Sequence, residues 1–313
     1  MRLHLYSLLV LVALLLLLQP PLIDGLCAPI QNDRHVIFLS RYSGVAGPSF
    51  RELFHDVTGH SQQRDNALVG GPRVAFVPTA SYAGTRHDPR LRDAARAEAE
   101  ADAERLTREL DLERCELLEL DAFDADPLGL EQWVRRLDPH VFWVGGGNTF
   151  FLRHFMRSSG FDSVVRERCG PGPERDAAVY VGVSAGAICG GASVATAYFK
   201  GLDDPALAPE NPLRSFRGLG LVGAHLSCFP HFDAGQGHED LVAVKRAEFG
   251  LGEEEGHRIA TLKDAQAFVW TQRAVGVGCE ASSDGGAVRS FTFNADQPGV
   301  LEDAWEPPPL PPC

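Results

Sequence analysis

The first 183 residues alternate short apolar runs with longer amphipathic stretches, and that alternation constrains the fold more than any other feature. His35–Leu39, Arg73–Pro78, Glu116–Leu120, Val141–Val144 and Ala177–Val183 read as strands. Leu91–Leu112, Leu128–Leu137 and Asn148–Ser159 read as helices between them; the first turns a Leu and Ala stripe inward and a charged face to solvent, and the last carries a Phe-rich face suited to core packing. Strands joined through helices must run parallel, and a parallel sheet is covered on both faces, so the pattern predicts a doubly wound α/β sheet. In such sheets ligands sit beyond the carboxyl ends of the strands. Two loops fall there by construction, Gly145–Asn148 and the turn at Ser184.

The second half changes character. Leu202–Arg217 is a Pro-containing loop, Gly218–Gly223 and Ala224–Phe229 are short and apolar, and Glu239–Phe249 reads as a helix. Ile259–Leu262, Ala267–Thr271, Val275–Cys279 and Val288–Phe293 read as strands, some of them antiparallel. With 313 residues, 44% of them hydrophobic, the chain can bury one large core, and no internal repeat or second domain is visible. The expected organisation is a leader over residues 1–27, one α/β domain over 34–296 and a Pro-rich tail over 297–313. A formal net charge of −13 argues against nucleic acid or an anionic membrane as the main partner.

Met1-Arg2 followed by the leucine-rich run Leu3–Leu18 and the pair Pro20-Pro21 forms that leader. A membrane span needs roughly 20 apolar residues and a signal-peptide core about 7–15, and this run falls between them. The expectation is a cleaved signal peptide and a secreted or lumenal protein. A retained signal anchor is the alternative, and contact with a membrane follows only in that case. The seven cysteines show no C-x-x-C pair and no zinc spacing; Cys189 and Cys228 lie in apolar segments and are expected as packed thiols, while export would permit one or two disulfides.

Gly182-Val183-Ser184-Ala185-Gly186 has the form G-x-S-x-G, follows a strand-like run and precedes a small-residue segment, Ala185–Ala197, that can open a helix. A serine on a sharp strand-to-helix turn presents its hydroxyl to a cleft, and the amide of Ala185 faces the same space, where it can hold an oxyanion. The alternative is a glycine-rich turn with an incidental serine. The triglycine run offers further amides at a strand–helix junction, Gly147 first and Gly146 next. Asn148 can cap the following helix or bind a substrate terminus. The run lacks the endings of a phosphate-binding or dinucleotide-binding loop.

A serine hydroxyl needs a base. His225, His231, His238 and His257 follow it in the chain. His231, at a strand end in Phe229-Pro230-His231-Phe232, is the best placed; His238 and His257 lie in polar segments that suggest surface exposure. For the carboxylate that orients the imidazole, Asp264 follows the strand Ile259–Leu262, while Asp233 lies two residues beyond His231. An α/β-hydrolase esterase would place its acid before its histidine, as in Asp233 or Asp240 with His257. A silent binding protein of the same fold is the non-enzymatic alternative.

Val144-Gly145-Gly146-Gly147-Asn148-Thr149-Phe150, Gly182-Val183-Ser184-Ala185-Gly186-Ala187 and Pro230-His231-Phe232 occur in the order and spacing of the peptidase E family. That family contains aspartyl dipeptidases and cyanophycinases. Phe76-Val77-Pro78-Thr79-Ala80 and Gly218-Leu219-Gly220-Leu221 resemble two more of its segments, and the likeness runs from Val36 to Val269. The resemblance implies a three-layer, flavodoxin-like fold similar to class I glutamine amidotransferases. It implies a serine peptidase acting on small peptides, without metal or other cofactor. Ser184 matches the nucleophile, His231 the base, Asp264 the acidic third member (often Glu in the family), and the triglycine loop with Ala185 the oxyanion hole. Where bacterial aspartyl dipeptidases carry an arginine that reads the acidic side chain, this chain has Ala243, with Arg246 the nearest basic residue.

Overall fold

The computed structural model describes residues 34–59, 70–170, 177–210, 215–251 and 256–272, and the backbone of 286–292. The leader, the tail and the Val275–Cys279 strand expected from the sequence lie outside the described residues.

Five parallel strands form the centre of the main sheet: β1 (Arg34–Leu39), β2 (Arg73–Val77), β3 (Arg114–Leu117), β4 (Val141–Val144) and β5 (Val179–Val183), in the spatial order β3-β2-β4-β5-β1. Two antiparallel strands, β8 (Gln266–Gln272) and β9 (Gly286–Thr292), extend the sheet beyond β1. β6 (Leu226–Phe229) and β7 (Arg258–Thr261) pair in parallel as a separate small sheet. The helices are α1 (Tyr42–Val45), α2 (Pro48–Val57), α3 (Pro89–Glu109), α4 (Pro127–Leu137), α5 (Thr149–Ser158), α6 (Phe161–Cys169), α7 (Ala185–Gly190) and α8 (His238–Glu248).

The central strands are buried at consecutive positions: Val36–Leu39, Val74–Val77 and Val141–Val144 are each buried throughout. Side chains alternate between faces along a strand, so such runs require cover on both sides. The result is a mostly parallel α/β fold in three layers, with the sheet covered on both faces. Phe38 stacks on Phe268 at 5.9 Å, and Phe142 meets the edge of Phe161 at 5.6 Å. Fully burying one such ring stabilises by about 1.5–3 kcal/mol.

Helix starts follow local chemistry. Asp88 accepts the amide of Arg90 at 2.9 Å and Asp126 that of Gly129 at 3.0 Å, with Pro89 and Pro127 in the first turns, so α3 and α4 begin slightly before their apolar stripes.

Elsewhere tertiary hydrogen bonds override the pattern. β3 stops at Leu117; Leu118 and Leu120 stay buried, but the amide of Leu120 bonds Thr79 Oγ1 at 2.9 Å and the chain turns. The helix that opens at Ala185 ends at Gly190, because Ala192 and Val194 donate to Leu226 and Phe216 carbonyls instead of to their own helix. Gly218–Gly223 is irregular. Leu219 and Leu221 donate to the Cys189 and Gly190 carbonyls at 2.8 and 3.0 Å, satisfying groups that the end of α7 leaves open. Helices α2 and α6 went unread in the sequence; Gly160, at φ 80°, separates α6 from α5.

Arg153, 4% exposed, forms a bidentate pair with Asp162 at 2.5 and 2.7 Å. Cys115, Cys169, Cys189 and Cys228 are free thiols; the last three are buried as packing groups, and burial pushes the thiols of Cys115, Cys169 and Cys189 up to about 12. No helix among the described residues is long and apolar enough to cross a membrane.

Candidate active site

Ser184 stands at the junction of β5 and α7. Its amide still belongs to the sheet, donating to Leu39 O at 2.9 Å, while its carbonyl already accepts from Ile188, four residues on, at 3.0 Å. To serve both, the residue adopts φ 51°, ψ −107°, a conformation that L-residues rarely occupy. Close packing makes the flanking glycines necessary: a Cβ on Gly186 would fall 2.2 Å from Val144 O, and one on Gly182 2.7 Å from the Gly186 backbone.

The triglycine loop lies alongside. Gly147, at φ 134°, fits so closely that a Cβ would sit 2.3 Å from Ala80 O, and a Cβ on Gly146 would be 3.2 Å from that of Ser184. The amides of Gly146, Gly147 and Ala185 find no acceptor among the described residues. Asn148 is committed twice: its Oδ1 caps α5 by accepting the amide of Phe151 at 2.9 Å, and its Nδ2 donates to Asp204 O at 2.9 Å. The capping reading therefore describes this side chain, which is also 8% exposed.

His231 follows β6 and Pro230 at φ 54°. Its Nε2 lies 3.0 Å from Ser184 Oγ, and its Nδ1 lies 2.6 Å from Asp264 Oδ1. An ionised carboxylate only accepts, so the proton is assigned to Nδ1, and Nε2 is left to accept from the serine hydroxyl. Burial alone would raise the Asp264 pKa. Hydrogen bonds from His231 and Ser40, with the charges of His231 and Arg41, outweigh it, and the carboxyl sits below its ordinary value.

Three neighbours escaped the sequence reading. Ser40, directly after β1, donates to Asp264 Oδ1 at 2.8 Å and accepts the His231 amide at 2.7 Å. Lys200 Nζ bonds the carbonyls of Pro230 (2.8 Å) and His231, and burial holds its pKa below the ordinary lysine value against the charges of Asp264 and Asp233. Asp203 accepts from Thr149 Oγ1 at 2.5 Å and is near enough to His231 for their charges to interact; burial raises its pKa despite both. No motif marks these residues. Ser40 alone has a sequence signal, its place directly after the strand β1.

The other candidates lie apart. Asp233 accepts the amide of Gly235 and the side chain of Gln236, both at 2.9 Å. His257 meets Ser227 Oγ at 2.9 Å, not Ser184, and His238 Nδ1 accepts the Asp233 amide at 2.9 Å. Both histidines are buried, correcting the expectation of surface exposure: His257 directly precedes β7, which pairs with β6, and His238 rests against Phe229. His225 and Asp240 are exposed. Ala243 is exposed on α8, and Arg246 spends its guanidinium on the Leu251 and His257 carbonyls. A cavity of about 1020 Å³ opens beside His231 and Asp264, with Arg41, Lys200, Lys263 and Phe232 in its walls.

A serine on a strained strand–helix turn, an imidazole in contact with it and a carboxylate behind that imidazole define the class of α/β proteins equipped for hydrolytic acyl transfer. The model of peptidase family S51 matches residues 53–275, and the chain belongs to that family of serine peptidases. It is 27% identical over 197 residues to the "Uncharacterized peptidase YgaJ" of Bacillus subtilis (strain 168), covering 62% of this chain and 70% of that protein. It is 32% identical over 91 residues to the "Uncharacterized peptidase Lin0382" of Listeria innocua, covering 29% of this chain and 38% of that protein. The crystal structure of "a Putative Peptidase E Protein from Listeria monocytogenes EGD-e" superposes with a TM-score of 0.49 at 20% identity, over 84% of this chain and all of that one.

Proposed function

We propose that the protein hydrolyses short peptides as a dipeptidase-like serine exopeptidase, with Ser184 as nucleophile, His231 as general base and acid, and Asp264 as the group that orients the imidazole. The hydrogen-bonded line from Ser184 Oγ through His231 to Asp264 Oδ1 is the observation that carries this reading. His231 Nε2 takes the hydroxyl proton as Oγ attacks the peptide carbonyl carbon. The open amides of Gly146, Gly147 and Ala185 receive the developing oxyanion, and losing one such donor costs about 3–4 kcal/mol in comparable sites. The C–N bond then breaks as His231 returns the proton to the leaving amine. Water repeats the sequence on the acyl-enzyme, giving its proton to His231 and freeing the carboxylic product and Ser184.

The lining by Arg41, Lys200 and Lys263 favours a substrate that carries a carboxylate. The test combines a fluorophosphonate probe with a dipeptide library that includes Asp-X and β-aspartyl-Arg members. Wild type is expected to be labelled at Ser184 and to cleave a subset of dipeptides, and Ser184→Ala to do neither. Cleavage persisting in a folded Ser184→Ala variant overturns the reading. Proteolysis confined to long, blocked peptides overturns the exopeptidase part alone.

A further inference from the structure

We infer that Ser40 is a positioning residue that locks His231 and Asp264 into line with Ser184, an inference that rests on the function proposed above. A hydroxyl has one proton to give and two lone pairs to receive with. Ser40, fully buried, gives its proton to Asp264 Oδ1 at 2.8 Å, accepts the backbone N–H of His231 at 2.7 Å, and lies 3.1 Å from His231 Nδ1. One atom thus grips both partners of the nucleophile.

Both partners need a restraint. His231 has a positive φ of 54°, a region that residues other than glycine occupy uncommonly, so the contacts of its peptide groups help hold it there. Ser40 takes the N–H on one side, and Lys200 takes the carbonyl on the other. The Asp264 side chain is 47% exposed and would otherwise swing toward water. Ser40 fixes Oδ1 from the buried side, and Arg41 Nε stands 3.4 Å from Oδ2 on the exposed side. Without the hydroxyl, a buried N–H loses its acceptor, the carboxylate loses a donor, and the imidazole is free to tip Nε2 away from Ser184 Oγ. Ser40 touches neither substrate nor the reacting atoms; it acts through His231 and Asp264.

A residue that only satisfied a buried amide would alter stability and leave the chemistry alone, so the test measures coupling. The rate of fluorophosphonate labelling at Ser184 and the melting temperature are measured for full-length wild type, Ser40→Ala, Ser40→Cys, Ser40→Thr, Asp264→Asn and the Ser40→Ala/Asp264→Asn double variant. Hydrogen bonds to charged groups set the scale: Ser40→Ala and the weakly donating Ser40→Cys should label about 10- to 100-fold more slowly. Ser40→Thr, which keeps the hydroxyl, should recover most of the rate. The double variant should lose clearly less than the product of the two single losses, because both substitutions loosen the same imidazole, while the hold of Ser40 on the His231 amide remains in Asp264→Asn. Should Ser40→Ala not fold, Ser40→Cys and Ser40→Thr decide. Wild-type labelling in a folded Ser40→Ala or Ser40→Cys variant overturns the inference, as does multiplication of the two losses in the double variant, or a folded Ser40→Thr as slow as Ser40→Ala. A wild-type protein that the probe never labels overturns the peptidase reading and the role of Ser40 together.

Discussion

Strain at Ser184 should be measurable as stability. Ser184→Ala and Ser184→Gly both delete Oγ and its contact with His231 Nε2, so their difference reports on the backbone and the Cβ alone. At φ 51°, ψ −107° an L-residue holds a sparsely populated conformation, which costs about 1–3 kcal/mol, whereas glycine adopts it freely. Against this, glycine gives the unfolded chain more freedom, a loss of about 0.4–1 kcal/mol. The missing Cβ, which packs by Gly146, costs a further fraction of the ~0.8 kcal/mol of a buried methylene. The balance leaves Ser184→Gly more stable than Ser184→Ala by about 1 kcal/mol, a rise in melting temperature of about 2–4 °C for a domain of this size. Urea unfolding followed by tryptophan fluorescence, with Trp143 in the core as reporter, gives the difference directly. If Ser184→Gly proves the less stable by half a kcal/mol or more, the turn is relaxed and the elbow argument fails.

The environments of His231 and His257 separate the competing sites. His231→Ala should abolish probe labelling with little loss of fold, whereas His257→Ala should leave Ser184 reactive in the folded protein and lower stability by about 1–3 kcal/mol, because the buried Ser227 hydroxyl keeps the Ser193 amide but loses the imidazole. Gly147→Ala should both destabilise and slow labelling, because its Cβ would overlap Ala80 O at 2.3 Å; unchanged kinetics and melting would refute the close approach. Asp162→Ala leaves Arg153 buried without its partner and should cost about 3–5 kcal/mol in denaturant titrations. The Asp264 pKa is depressed in the fold, so its contribution to stability is complete above the ordinary carboxylate value near 3.9 and is lost as pH falls through the lower folded value. The stability gap between wild type and Asp264→Asn should therefore be constant from about pH 5 upward and close below pH 4, as read from denaturant titrations at each pH.

What the sequence made legible was whatever depends on near neighbours. Apolar runs placed the five central strands, and the G-x-S-x-G and triglycine spacings marked the loops beyond β5 and β4. What stayed hidden depends on long-range contact. Ser40 meets His231 across 191 positions of chain, and no periodicity encodes that distance. His238 and His257 misled for the same reason: polar neighbours in sequence say little about what folds over them, and β6 with its aromatic end buries both. The ends of α7 and β3 were overrun because tertiary acceptors, at Leu226, Phe216 and Thr79, captured amides that local propensity had assigned to a longer helix or strand.

The placement of Asp264 follows from one change of strand direction. Everything after a parallel strand emerges at the carboxyl rim of the sheet, as Ser40 does after β1, the triglycine loop after β4 and Ser184 after β5. Asp264 instead precedes its strand. It reaches the same rim because β8 runs antiparallel to β1, with Ala267 opposite Leu39 and Gln272 opposite Arg34. The start of β8 therefore lies beside the end of β1. The fit there is close: a Cβ on Gly44 would fall 1.9 Å from the carbonyl oxygen of Asp264. Gly44→Ala should then displace Asp264 rather than unfold the sheet, slowing probe labelling more than it lowers the melting temperature. A Gly44→Ala protein that labels at the wild-type rate would show that the carboxylate is held by something other than the β1–β8 junction.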